Sequence, residues 1–206
     1  STQGVSSAAS DVYKRQLDEM KKSLRYSLNL NDTVAHIYDH ISIANFYSYV
    51  GCIDSATINY NAAYELSEIA GYDYLKGKIL SQMAAFHLDC GELEMADSLF
   101  TLSQEYPIDI SSKSAFHSTG ASLQLSLGNE DKAMPYIKWL RDSGMIYAKR
   151  FAYWELVQYN LKHGEMDECA SNMSQLLLYT DSIRYNEGIE AIVQMNAVYN
   201  LSLIHI

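Results

Sequence analysis

Four glycines, Gly51, Gly91, Gly128 and Gly164, mark equivalent points in a pattern that recurs along the chain, 40, 37 and 36 residues apart. Three positions after each stands an acid: Asp54, Glu94, Asp131 and Asp167. Five after each stands a small residue, Ala56, Ala96, Ala133 or Cys169, and nine after each a larger one, Tyr60, Phe100, Ile137 or Met173. Seven before each stands Ala44, Ala84, Ala121 or Val157. Self-similarity at such a period means that one supersecondary unit is copied along the chain and that copies stack on one another.

The pattern is that of two packed helices. Glycine takes a left-handed conformation without strain and so ends the first helix. The acid near the start of the second helix meets its positive dipole end. The small residue lets the helices approach closely, and the larger one four positions on lies on the same face and fills the gap. One such pair cannot bury its apolar stripe alone; a neighbouring pair must cover it.

Composition agrees. Two prolines and ten glycines in 206 residues supply too few turns for a sandwich or barrel. No stretch reaches the length of about 18 apolar residues needed to span a membrane. The formal charge is −10, with no cluster of Lys or Arg, which argues against nucleic-acid binding.

These residues resemble the tetratricopeptide repeat (TPR) family. Ile43, Ala44, Tyr47, Gly51, Ala56, Tyr60 and Ala63 match its pattern best; Met83, Ala84, Gly91, Ala96 and Phe100 follow, with His87 in place of the tyrosine. Gln124 and Asn160 stand at that place in the two later copies, and His40, Leu80, His117 and Tyr153 replace the tryptophan usual early in the first helix. The resemblance covers roughly 34–180 and implies an all-α fold, an α-solenoid of about four antiparallel helix pairs with a preceding half pair and an exit helix. Helices are expected at 17–28, 34–50, 53–70, 73–90, 93–105, 111–127, 130–142, 145–163, 166–180 and 182–200. Asp32 or Thr33 caps the second, Pro107 closes the second pair, and Pro135 bends its helix.

The ends read differently. Residues Asp11 to Gln16 can be encoded GAT GTG TAT AAG AGA CAG, whose reverse complement translates as Leu201-Ser202-Leu203-Ile204-His205-Ile206, all six codons in order. An inverted DNA repeat of this kind resembles the transposon end used in sequencing libraries. Segments 1–16 and 201–206 are therefore expected to be non-native, leaving a repeat array at 17–181 and an exit helix at 182–200, with both native termini outside the fragment. Thr180-Asp181-Ser182-Ile183 and the helix after it also resemble the exit from TPR arrays in regulators of Bacteroidetes-type bacteria. That resemblance implies a sensory or scaffolding array, periplasmic and joined to an inner-membrane protein, or otherwise cytoplasmic.

Function is expected to lie in noncatalytic binding of a protein or peptide. The family offset places on the groove-lining face Tyr38, Asn45, Tyr49, Lys78, Ser81, Asp89, Ser118, Ser122, Phe151, Trp154, Gln158 and Lys162. Rings beside amides and hydroxyls suit an extended peptide, since rigid aromatics give contact area at low entropy cost; packing between repeats is the alternative role for each. Asn45 fits one position of the family's carboxylate clamp, but Ile41 stands where a lysine is needed, which disfavours an acidic chaperone tail. Self-association, through the exit helix, is the alternative function, and an enzyme with a composite site the third. No phosphate loop, G-x-S-x-G or H-E-x-x-H is present, and no cofactor is implied. His36 and His40, four apart on one helix, are two possible metal ligands where three or four are usual. Cys52, Cys90 and Cys169 form no C-x-x-C pair, and free thiols are expected.

Overall fold

The computed structural model describes the backbone of residues 2–204 and the side chains of residues 13–190. Among these residues the structure is all-helical: α1 (Thr2–Asn29), α2 (Thr33–Tyr49), α3 (Ile53–Ile69), α4 (Asp73–Asp89), α5 (Leu93–Ser103), α6 (Lys113–Ser126), α7 (Glu130–Ser143), α8 (Ile146–His163) and α9 (Met166–Ile204). Neighbouring helices pack in consecutive pairs, the local arrangement of an α-solenoid. Seven of these helices, α2 to α8, lie within a few residues of the expected bounds.

The turns between helices repeat one device. Gly51, Gly91, Gly128 and Gly164 have φ between 74° and 79°. After each, the next amide donates to a carbonyl five residues back: Cys52 to Tyr47, Glu92 to His87, Asn129 to Gln124 and Glu165 to Asn160, at 2.8 to 2.9 Å. These left-handed caps satisfy carbonyls that the helix end would otherwise leave bare. The same cap also links one pair to the next, at Gly71 (φ 70°) and at Asn31 (φ 54°). Asp32 then starts α2, its carboxylate accepting from the Ala35 amide at 3.0 Å.

The chain divides into two compact units, Ser1–Thr119 and Gly120–Ile206, with the boundary inside α6. In the first, Ala44, Ala56, Tyr60 and Ala63 of α2 and α3 are buried together with Leu75, Ile79, Met83 and Phe86 of α4. In the second, Ala121, Ala133, Ile137 and Leu140 are buried with Ala148, Ala152 and Leu156 of α8, and Val157 with Cys169 and Leu176. The small residues of the repeat thus sit where helices touch. Ala84 and Ala96 are fully buried as well. Tyr47, expected in the core, is only half-buried and packs at its edge. Ser67 and Ser103, both fully buried, donate to the carbonyls of Tyr64 and Phe100 at 2.7 and 2.6 Å, so a hydroxyl enters the helix contact without an unmet hydrogen bond.

Two boundaries differ from expectation. α9 runs unbroken through 180–182, because Leu176 to Ile183 contains neither glycine nor proline, and Thr180 and Ser182 return their hydroxyls to the carbonyls of Leu176 and Leu178. α1 begins at Thr2 rather than Leu17 and so crosses position 16. The Tyr13 ring lies 6.4 Å from those of Phe46 and Tyr49. The side chains of 1–12 and of the distal exit helix, 191–200, as well as those of 201–206, lie outside the described residues. α7 continues as helix through Pro135. Among the described residues, no helix is long and apolar enough to cross a membrane.

Candidate functional site

Of the twelve residues assigned to a binding face, seven lie in the first unit and five in the second. In the first unit, α2 carries Tyr38, Asn45 and Tyr49. Tyr49 is 77% exposed at the end of its helix. Asn45 is exposed, and its amide oxygen accepts from the Tyr60 hydroxyl at 2.6 Å. Ile41, at the would-be clamp position, is buried. Asp89 is exposed at the last position of α4; with burial as the larger cause, its charge helps to push the Tyr60 phenol up to about 12.

Tyr38 and Lys78 meet: the Lys78 ammonium lies 4.6 Å from the Tyr38 ring centroid, within cation–π range. What sequence reasoning missed is the segment that joins them. The loop between α5 and α6 folds back across α4, where a Cβ on Gly77 would lie 3.0 Å from Tyr106 Cβ and 3.1 Å from the Pro107 carbonyl oxygen. Glycine inside a helix costs about 1 kcal/mol relative to alanine, so Gly77 was the readable signal of a close approach. Asp109 anchors the loop's far end. Its carboxylate accepts from Ser111 Oγ at 2.5 Å, Ser112 N at 3.0 Å and Ser112 Oγ at 2.7 Å. Burial pushes that carboxyl up, but these hydrogen bonds and the Lys78 charge outweigh it and hold it below the usual range. Lys78 and Ser81 line a small space of only about 20 Å³ with Gln82, Ile108 and Ser112. Gln82 Oε1 is buried there without a hydrogen-bond partner. Ser118 is half-buried in the first unit, and Ser122 half-buried in the second.

In the second unit the four remaining residues separate onto two sides of α8. Gln158 and Lys162 line a cavity of about 210 Å³ with Leu125, Met134, Glu155 and Tyr159. Lys162 pairs with Glu130, whose carboxyl is held low chiefly by that hydrogen bond, against a smaller opposing effect of burial, and further by the charges of Lys162 and His163. Burial pushes the Glu155 carboxyl up. Phe151 and Trp154 instead line a groove of about 510 Å³ between α8 and α9, with Met173, Leu176 and Leu177.

His36 and His40 stack with ring centroids 5.0 Å apart. His40 Nδ1 shares a hydrogen bond with the Asn59 amide oxygen at 3.0 Å. Among the described residues, no three or more potential metal-ligating side chains group together. Cys52, Cys90 and Cys169 are free thiols.

The architecture therefore defines an all-helical, repeat-like protein whose exposed side chains offer surfaces for packing and charge pairing. No family model matches the chain, and no curated protein matches it.

Proposed function

We propose that the chain is a TPR-like, noncatalytic binding scaffold that takes a protein or extended peptide along the faces of its first helices. It would serve as the sensory or interaction region of a larger bacterial regulator. The observation that carries the reading is the exposure of large rings on those faces, Tyr49 at 77% and Trp154 at 52%, while the residues of the repeat signature beside them are mostly buried. Rings held on rigid helices offer apolar contact at little entropic cost. On the other side of α8 from Trp154, Gln158 and Lys162 line a separate cavity to which they would offer polar groups.

The test is selection from a displayed library of random peptides against the full chain. An enriched peptide is then titrated by fluorescence anisotropy against wild type, Tyr49→Ala and Gln158→Ala. Binding weakened about tenfold, with helical content unchanged, supports the reading, since truncation of an interface anchor costs of this order. No enrichment, or wild-type affinity in both variants, refutes it.

A further inference from the structure

The cavity at α7 and α8 holds a carboxylate that the chain itself does not balance. Its lining carries three charged groups, Glu130, Glu155 and Lys162. Lys162 pairs with Glu130, and His163 also lies against Glu130, at 4.0 Å. Glu155 is left over. Among the described residues no hydrogen bond or ion pair reaches its carboxylate, and burial alone pushes that carboxyl up. Nine residues before the repeat glycine, where Glu155 stands, the earlier pairs carry the neutral Ser42, Gln82 and Thr119. Ser42 and Thr119 return their hydroxyls to the Tyr38 and Ala115 carbonyls of their own helices, at 2.8 and 3.0 Å. An ionised carboxylate has no proton to give, so Glu155 cannot be satisfied in that way.

On α8, Glu155, Gln158, Tyr159 and Lys162 recur at spacings of three and four residues and so share one face. Tyr159 is held by the His163 ring stacked on it, centroids 4.1 Å apart. Leu125 of α6 with Met134 and Ile137 of α7 supply the apolar part of the lining. A partly buried carboxylate without a partner, beside apolar surface, suits an occupant with a cationic head and an apolar body. The head restores solvation that burial removed, and the body covers the rest. At about 210 Å³ the cavity is below the size of drug-binding pockets, about 300–1,000 Å³, which restricts the occupant to a small amine or one side chain.

We propose that this cavity seats one organic cation, an ammonium or guanidinium on an apolar stem, with Glu155 as its counter-ion and Gln158 and Tyr159 beside it. The cation is either a free small amine or the Lys or Arg side chain of a bound peptide. The second source rests on the peptide-binding function proposed for the chain, whereas the seat itself does not.

The probe is phenethylamine, titrated into the full isotope-labelled chain and followed through the amide shifts of α7 and α8. Saturable binding is expected, weakened about tenfold or more by Glu155→Gln, because a charge-assisted hydrogen bond is lost. Phenethyl alcohol has nearly the same shape without the charge. It should bind wild type about tenfold more weakly than the amine does, and should not distinguish wild type from Glu155→Gln. Glutamine is close to glutamate in shape and Glu155 is only partly buried, so the variant keeps the fold, which circular dichroism checks. Absence of saturable amine binding overturns the proposal. So does equal affinity of the amine for wild type and Glu155→Gln, or equal affinity of amine and alcohol for wild type. Peptides selected on the chain decide the source. Displacement of phenethylamine by such a peptide, lost when its Lys or Arg is replaced by alanine, assigns the seat to a side chain. Saturable amine binding without that displacement assigns it to a free amine. Failure to select any peptide refutes the peptide-binding function and leaves the amine titration to decide the seat.

Discussion

Replacing Gly51 isolates the energetic cost of one repeat cap. Its φ of 75° lies in the left-handed region, and a Cβ built there meets no atom within 4 Å. The native-state penalty of a side chain is thus backbone strain alone, about 1–2 kcal/mol for an L-residue in that region. Opposing it, a residue with a Cβ has fewer unfolded conformations to lose, a gain of about 0.4–1 kcal/mol. The net loss for Gly51→Ala is about 0–1.6 kcal/mol on the difference of these two ranges. Gly51→Val should cost more, since branching at Cβ makes positive φ a genuine outlier. Gly51→Asn should cost least, because asparagine enters the left-handed region most readily after glycine. For a chain of this size, each kcal/mol moves Tm by about 2–4 °C. Thermal unfolding followed by circular dichroism would rank the three variants. Hydrogen exchange at the Cys52 amide, which donates to the Tyr47 carbonyl at 2.9 Å, would localise the damage to the α2–α3 turn. If Asn costs as much as Val, or if none of the three lowers Tm, the strain account of the repeat glycines is wrong.

Two further outcomes follow from the first unit. Gly77→Ala gains about 1 kcal/mol of helix propensity but drives a methyl group against Tyr106 Cβ and the Pro107 carbonyl. Overpacking of about 1–3 kcal/mol offsets or exceeds that gain. Faster exchange at the Ser112 amide should report a loosened loop, and a net stabilisation with unchanged exchange would refute the close approach. Tyr60→Phe deletes the hydroxyl bonded to Asn45, at a cost of about 0.5–1.5 kcal/mol near neutral pH. The folded phenol titrates at about 12 against an ordinary 10.0, pushed up by burial first and by the Asp89 charge second. The raised folded value makes this contribution complete below pH 10 and progressively lost as pH rises towards 12. The Phe variant should therefore show a shallower loss of stability across that alkaline window; parallel pH curves for the two proteins would contradict the assignment.

The repeat was legible because its causes are local. A left-handed turn requires glycine or a close substitute, a helix start favours an acid, and a helix contact requires a small side chain. Gly51, Gly91, Gly128 and Gly164 with Ala56, Ala96 and Ala133 therefore announced helix, turn and contact in order. Gly71 was overlooked because it links pairs, outside the pattern centred on the turn within each pair. The binding face was less legible. A fixed offset from each glycine says which side of a helix a residue occupies, not what has folded onto that side. It does not tell that the α5–α6 loop lies across α4 and brings Asp109 near enough to Lys78 to feel its charge. It grouped Trp154 with Gln158, although they line different cavities.

Taken alone, the sequence determined the helices, the caps that end them and the register in which pairs recur, since each depends on residues within a few positions of one another. Tertiary structure decided which of the equivalent surfaces remain exposed. Tyr60, Phe100, Ile137 and Met173 hold the same place in the repeat, yet the first three are covered and the fourth is open. Burial depends on whether another helix arrives from elsewhere in the chain, and a period in the sequence does not encode that arrival.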